Sequence, residues 1–255
     1  MNRRLALSGL GSMVASIGLS ACGDEGLGRL AAGARAKVAA VRSGDSVELE
    51  GGGTVRLAGI EAPYGQMEYA PEARAALSDL VLGQTVDLFY GGARQDPFGR
   101  TLAHLRLGRT GQWVQKAMLE KGAARVRTYA DNRAMARPML DAEARARAAK
   151  RGLWTLLAYR VRLPQEAAVD PFGFQLVEGR VSDVSDGGHG MTIDLEHWLS
   201  AQVAPSAKAQ FAAAGLGAAT LKGKLIRVRG QSRPASGEAL MMLDHPEQVE
   251  RLREA

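Results

Sequence analysis

Cysteine is nearly missing from this chain, with one in 255 residues, so no disulfide can close within it and no multi-cysteine zinc site can be assembled. Aromatic residues are scarce too, five Tyr, five Phe and three Trp, which leaves few rings to stack on a nucleobase. No apolar run reaches the ~20 residues that a spanning helix needs. Excess charge is small: 33 Lys plus Arg against 27 Asp plus Glu give +6, a weak pointer to an anionic partner. What is present is ordinary globular composition, 46% apolar and 24% charged, which excludes a wholly disordered chain and a multi-span membrane protein. The length accommodates one large domain or two small ones.

The first 21 residues read as an export signal. Arg3 and Arg4 precede a short apolar run that contains no acid and is interrupted by Gly9, Gly11 and Gly18. The run ends Leu19-Ser20-Ala21-Cys22, which resembles the bacterial lipoprotein cleavage box and places the one cysteine where that box requires it. The resemblance implies cleavage before Cys22, a diacylglycerol on its sulfur and a mature protein anchored to a membrane by lipid, without a transmembrane helix. The expected location is the bacterial cell envelope, on the periplasmic or extracellular side. Loss of Arg3 and Arg4 with the leader lowers the excess from +6 to +4.

Small residues at 22–35 read as a tether. Short alternating segments follow at 37–42, 46–50, 54–60, 85–90 and 101–107, punctuated by glycines, and five short strands so close together predict a small barrel. Pro71 ahead of Ala73, Leu77 and Val81, with Gly83 behind, predicts an amphipathic helix. Trp113, Val114, Ala117 and Met118 before Gly122 predict a second. A third is expected over 138–151, with Glu143 facing Arg147 one turn on and the Arg145, Arg147, Lys150 and Arg151 face solvated. Residues 155–174 hold Pro164 and Pro171 and read as a connector. Strand patterns at 175–184, 190–195 and 224–229 around a helical stretch near 206–214 predict a second small β-barrel-like module over 175–255. The fold class expected is therefore mainly β with helices, α+β.

The chemistry-bearing residues lie in the first module. Ser43-Gly44-Asp45-Ser46 puts a carboxylate in a tight turn, and Val55-Arg56-Leu57 through Glu61-Ala62-Pro63 puts an arginine on one strand face and an acid at its end. Asp96-Pro97-Phe98-Gly99-Arg100 is a turn that presents a second arginine. Carboxylates supply hard oxygen ligands for Ca²⁺ or Mg²⁺, and guanidinium forks bind phosphate oxygens and oppose charge building at phosphorus.

In their order, and with Tyr69-Ala70-Pro71-Glu72-Ala73, Gly122-Ala123-Ala124-Arg125-Val126 and Gly152-Leu153-Trp154, these motifs resemble the staphylococcal nuclease-like, or thermonuclease, family over 36–154. The resemblance implies an OB-type five-stranded barrel with three helices and a Ca²⁺-dependent phosphodiesterase acting on DNA or RNA. It assigns Asp45, Glu61 and the Ala62 carbonyl to the metal, with Glu61 where the family usually has aspartate, and Arg56 and Arg100 to phosphate. After Pro63 the family carries a glutamate proposed as the base, and this chain has Tyr64, which is a poor base at neutral pH but can stack on a nucleobase. Glu68, in the short loop before Tyr69, is a candidate replacement.

Three readings of the site follow: a nuclease with its base relocated to Glu68, a slow phosphodiesterase without a dedicated carboxylate base, and a nucleic-acid or phosphate-binding module without catalysis. A fourth, of another class, is an envelope interaction protein carrying a relic site. In the second module, Arg227 and Arg229 alternate with apolar residues on a segment whose basic side could approach an anion. His104, His189, His197 and His245 show no metal-ligand spacing.

Overall fold

A computed structural model describes residues 26–252, so the leader and Cys22 lie outside the described residues. Two barrels follow one another. The first is built from β1 (Ala31–Ser43), β2 (Ser46–Leu49) and β3 (Thr54–Leu57), then the two-residue β4 (Ile60–Glu61), α1 (Ala70–Val81), β5 (Thr85–Tyr90) and β6 (Thr101–Leu107). After these come α2 (Val114–Glu120), β7 (Arg125–Val126) and α3 (Ala136–Ala148). The barrel closes in the order β1-β2-β3-β6-β5, with β3 and β6 parallel, and β4 pairs with β7 beside it.

Alternation explains the barrel: Val47, Val55, Leu57, Val86, Leu88, Ala103 and Leu105 point inward and are buried. Helix α1 carries Pro71 in its first turn with Glu72 toward the positive end of the dipole. It buries Ala73, Leu77 and Val81 on one stripe, each large side chain contributing about 1.5–3 kcal/mol. Gly83, at φ 71°, turns the chain into β5.

The tether differs from expectation. Leu27 is buried, and β1 begins at Ala31, pairing Ala31 with Tyr90, Ala32 with Phe89 and Arg35 with Asp87. A register shift falls between Ala32 and Arg35, and a side chain on Gly33 would meet the Tyr90 ring at 2.5 Å. Small residues are required there by close contact, not by a need for slack.

The connector is ordered as well. It carries 3₁₀ turns at Gly152–Thr155 and Leu157–Tyr159 and then α4 (Pro164–Val169), whose Ala167 is buried in the second core. Arg162 exchanges backbone bonds with Leu176 and Glu178, laying the connector along the next strand.

The second barrel comprises β8 (Gly173–Gly187), β9 (Gly190–Leu195), β10 (Leu199–Val203), α5 (Lys208–Ala213), α6 (Ala218–Leu221), β11 (Leu225–Ala235) and β12 (Glu238–Leu243), with β13 (Val249–Arg251) added to β11. It closes in the order β8-β9-β10-β12-β11, and β10 and β12 run parallel. Strand order, the one parallel pair and the helices between third and fourth strands all repeat the first barrel, so two OB-type barrels stand in tandem.

The barrels are bolted together by buried charge. Arg229 on β11, 1% exposed, donates to both carboxylate oxygens of Glu143 on α3, at 3.1 and 2.9 Å, and to Glu250 at 2.6 Å. Glu143 is fully buried and also accepts the Val126 N–H at 2.6 Å and Arg147 at 2.7 Å. This corrects two expectations. Arg147 is drawn into an internal network, leaving Arg145 as the exposed member of that pair, and Arg227 and Arg229 are consumed by Glu178, Glu143 and Glu250. Neither strand arginine presents a basic edge to an outside anion.

Candidate active site and the cavity beside it

The β1–β2 turn places Asp45. A side chain at Gly44 would lie 2.6 Å from the Ala62 Cβ and 2.8 Å from the Ala73 Cβ, so only glycine lets the turn press against α1 and the end of β4. That approach brings the Ala62 N–H to Asp45 Oδ2 at 2.8 Å. Ser43 donates to Oδ1 at 2.9 Å, and Arg56 Nη2 lies 3.1 Å from Oδ2 while its Nη1 donates to the Leu57 carbonyl at 2.8 Å. Asp45 is 6% exposed, so the pair is a largely desolvated carboxylate and guanidinium. Asp45, Arg56 and Ala62 are thus brought together.

Arg100 sits on the adjacent strand line, immediately before Thr101, which pairs with Val55. It is held by its own turn: Nε donates to Asp96 Oδ2 at 2.6 Å, the backbone N–H to Oδ1 at 2.9 Å, and the guanidinium lies 5.5 Å from the exposed Phe98 ring. Burial raises the Asp96 carboxyl, but the hydrogen bonds from Arg100 and Phe98 and the Arg100 charge outweigh it and hold it below its ordinary value.

Glu61 takes a different direction from Asp45. The β4–β7 register sets it opposite Arg125, which donates to Oε2 through Nη2 at 2.6 Å and Nε at 3.0 Å, and Arg127 Nη1 donates to Oε1. Burial pushes this carboxyl up, and the two guanidinium groups more than reverse that, leaving it below its ordinary value. Arg125 and Arg127 are the residues sequence reasoning missed. The signal was Arg125-Val126-Arg127, two cations on one side of an extended segment.

A Ca²⁺ ion requires roughly six to eight oxygens. Both oxygens of Asp45 already accept from Ser43, Ala62 or Arg56, and both of Glu61 from arginines. The described residues contain no group of three His, Cys, Asp or Glu able to hold an ion. As folded, Asp45, Glu61 and Ala62 therefore do not form the cation cage that the resemblance implies.

Tyr64 and Glu68 lie on the exposed loop after Pro63 and line a cavity of about 450 Å³ at the junction of the barrels. Glu61, Ala62, Arg125 and Arg127 line it from the first module, Tyr159, Arg160 and Arg162 from the connector, and Phe172 and Phe174 from the second. Ala62 is common to both sites, since its N–H faces Asp45. Burial raises the Tyr159 hydroxyl above its ordinary value, with Glu61, Glu68 and Tyr64 adding to the effect and Arg125 opposing it. Of the histidines, His104 and His245 are buried, and none joins this cluster.

The family model described as staphylococcal nuclease homologue matches residues 54–156. That interval includes Arg56, Glu61, Tyr64 and Arg100 and begins after Asp45. The chain is 33% identical over 112 residues to the "Probable staphylococcal-like nuclease CAN1" of Oryza sativa subsp. japonica, covering 44% of this chain and 31% of that protein. It is 36% identical over 101 residues to the "Probable staphylococcal-like nuclease CAN2" of the same plant, covering 39% of this chain and 25% of that protein. The chain therefore spans a third or less of the length of these curated relatives.

Proposed function

We propose, from the premise that residues 54–156 are a staphylococcal nuclease homologue domain, that this chain binds nucleic-acid phosphodiesters at the Asp45–Arg56 cluster and hydrolyses them there. The observation that carries the reading is Arg56, held in a desolvated pair beside Asp45, with Arg100 on the neighbouring strand line. Guanidinium groups so placed bind phosphate oxygens and stabilise charge that grows on them in the transition state. Asp45 keeps Arg56 in position, and Arg100 is pre-set by Asp96. Calcium enters as an assay variable, since the folded donor set does not hold it.

A second reading, binding without cleavage, is favoured by a specific observation. Glu61 is committed to Arg125 and Arg127, and Tyr64 stands where the resemblance implies a carboxylate base. Residues 23–255, incubated with single-stranded DNA and RNA in Ca²⁺ or in chelator, separate the two. Hydrolysis that Arg56→Ala lowers at least a hundredfold supports the enzyme; tight binding with no cleavage supports the second reading, and cleavage indifferent to Arg56 defeats the site assignment.

The protein is further proposed to work at the bacterial envelope, tethered through lipid on Cys22. The support is the Leu19-Ser20-Ala21-Cys22 box, and no helix among the described residues is long and apolar enough to cross a membrane. Mass spectrometry of Cys22 from a membrane fraction decides it: an unmodified thiol removes the anchor.

A further inference from the structure

The junction cavity holds side chains that the Asp45–Arg56 cluster does not use. Arg125, Arg127, Arg160 and Arg162 line it with Glu61 and Glu68, and Arg160 and Arg162 are each also bonded to an acid outside the lining, Glu166 at 2.7 Å and Asp170 at 2.9 Å, which a phosphate would have to share or displace. Two of those cations are pre-oriented by aromatic rings, Arg125 at 4.5 Å and Arg127 at 5.3 Å from the Phe174 centroid, with the Tyr159 ring also 5.3 Å from Arg125. Glu61 holds both guanidinium groups in one place, and the Phe174 carbonyl takes Arg125 Nη1 at 3.1 Å. The basic wall is therefore fixed before any ligand arrives.

The same cavity is lined by two rings left open to solvent, Tyr64 at 58% and Phe172 at 67% exposed. In a chain with so few aromatics, two exposed rings in one basic cavity meet the two needs of an unpaired nucleotide, a π-face for the base and cations for its phosphate. A volume of about 450 Å³ is of the size that takes a small ligand. Bases in a duplex offer no free face to such rings. An acidic peptide would use the arginines and leave both rings without a role.

We propose that this junction cavity is a docking subsite for an unpaired base and its phosphate in a single-stranded nucleic acid, built jointly by the 61–68 loop, the connector and the start of β8. It rests on the reading that the chain acts on nucleic acid, and it adds that the connector and second barrel supply part of the grip. Ala62, shared with the Asp45 site, makes the two sites neighbours along one strand path.

The test uses the full chain after the leader, in chelator, with fluorescein-labelled dT15 and U15 followed by anisotropy. Tyr64→Ala combined with Phe172→Ala is expected to weaken binding about tenfold, the loss expected for one stacked base. Both side chains are solvent-exposed, and circular dichroism verifies the fold. Arg160→Ala is expected to reduce the slope of log K against log salt by about 0.7, the value for one phosphate on a single strand. The proposal is overturned by any of three results: double-variant affinity within twofold of the parent, a 15-base-pair duplex bound as tightly as the single strands, or polyglutamate competing as well as unlabelled dT15. Because binding is read without cleavage, a parent protein that binds in this pattern but never cuts sinks only the hydrolysis reading. One that cuts with ring-independent binding sinks only this proposal.

Discussion

Replacing Arg229 with methionine would test whether the two barrels behave as one folding unit. The guanidinium is 1% exposed and makes three bonds to carboxylates, two to Glu143 and one to Glu250, at 2.6 to 3.1 Å. Its loss leaves Glu143 fully buried with only Arg147 and the Val126 N–H as partners. Removing one partner of a buried pair costs about 3–5 kcal/mol, because the other charge stays desolvated. The retained Arg147 bond places this case near 3 kcal/mol, a large share of a typical domain stability of about 5–15 kcal/mol.

Arg229 belongs to the second barrel and Glu143 to the first, so the loss should fall on the junction. Urea unfolding of Arg229→Met, followed by circular dichroism and by tryptophan fluorescence, should show midpoints that no longer coincide. Trp113 reports the first core, Trp154 the junction, where it clusters with Leu176 and Phe174, and Trp198 the second module. Adding Glu143→Gln to that variant removes the stranded charge while leaving an amide oxygen for Val126, and should restore at least about 1 kcal/mol. A shift below about 1 kcal/mol in the single variant, or simple additivity in the double, would refute the reasoning.

Acid should destabilise the protein in two stages. Burial lowers His104 from 6.5 to about 4, so as pH falls the unfolded chain takes up this proton first, and roughly 3 kcal/mol is lost between those values. His104→Leu should flatten that window in pH-dependent urea titrations, and a parent profile flat from pH 7 to 4.5 would contradict it. Glu61, Glu247 and Glu250 are held below their ordinary 4.5 despite burial, chiefly by arginine partners, so a second loss begins as pH drops through 4.5 and persists in His104→Leu. Gly122→Ala should cost more than about 2 kcal/mol by thermal unfolding, because φ is 68° there and the new Cβ would lie 2.1 Å from the Arg151 carbonyl oxygen. Gly111→Ala, at φ 73° with open space around it, should cost only the backbone strain of about 1–2 kcal/mol, and equal losses at both sites would refute the steric account.

Elements with strict alternation or clear stop signals were readable from the chain: β2, β5, β6 and α1 fall within a residue or two of expectation. The first half of β1 was not, because close contact with Tyr90 selects Ala-Ala-Gly-Ala, which carries no hydrophobic alternation. Glu143 and Arg147 were readable as a pair on one helix, but the partner that buries them stands 86 positions from Glu143, in another module. Charge on a local face looks solvated until the element that covers it is known. The Asp45, Arg56 and Arg100 positions needed only motif order, whereas the cavity needed the connector and β8 folded against the loop.

Glu61 and Tyr64, the two positions at which the resemblance implies other acids, share a physical setting beside that cavity. Arg125 and Arg127 are partly buried, and without an acid between them they would repel each other in a poorly solvated wall. Glutamate has one more methylene than aspartate, and its carboxylate spans both guanidinium groups across the β4–β7 pair. A further glutamate at position 64 would add a third acid to Glu61 and Glu68 on the same cavity and repel an incoming anion. Tyrosine adds no charge and offers a ring at the rim. The residues that weaken the case for a metal-held water thus strengthen the case for an anionic, base-bearing ligand one residue away.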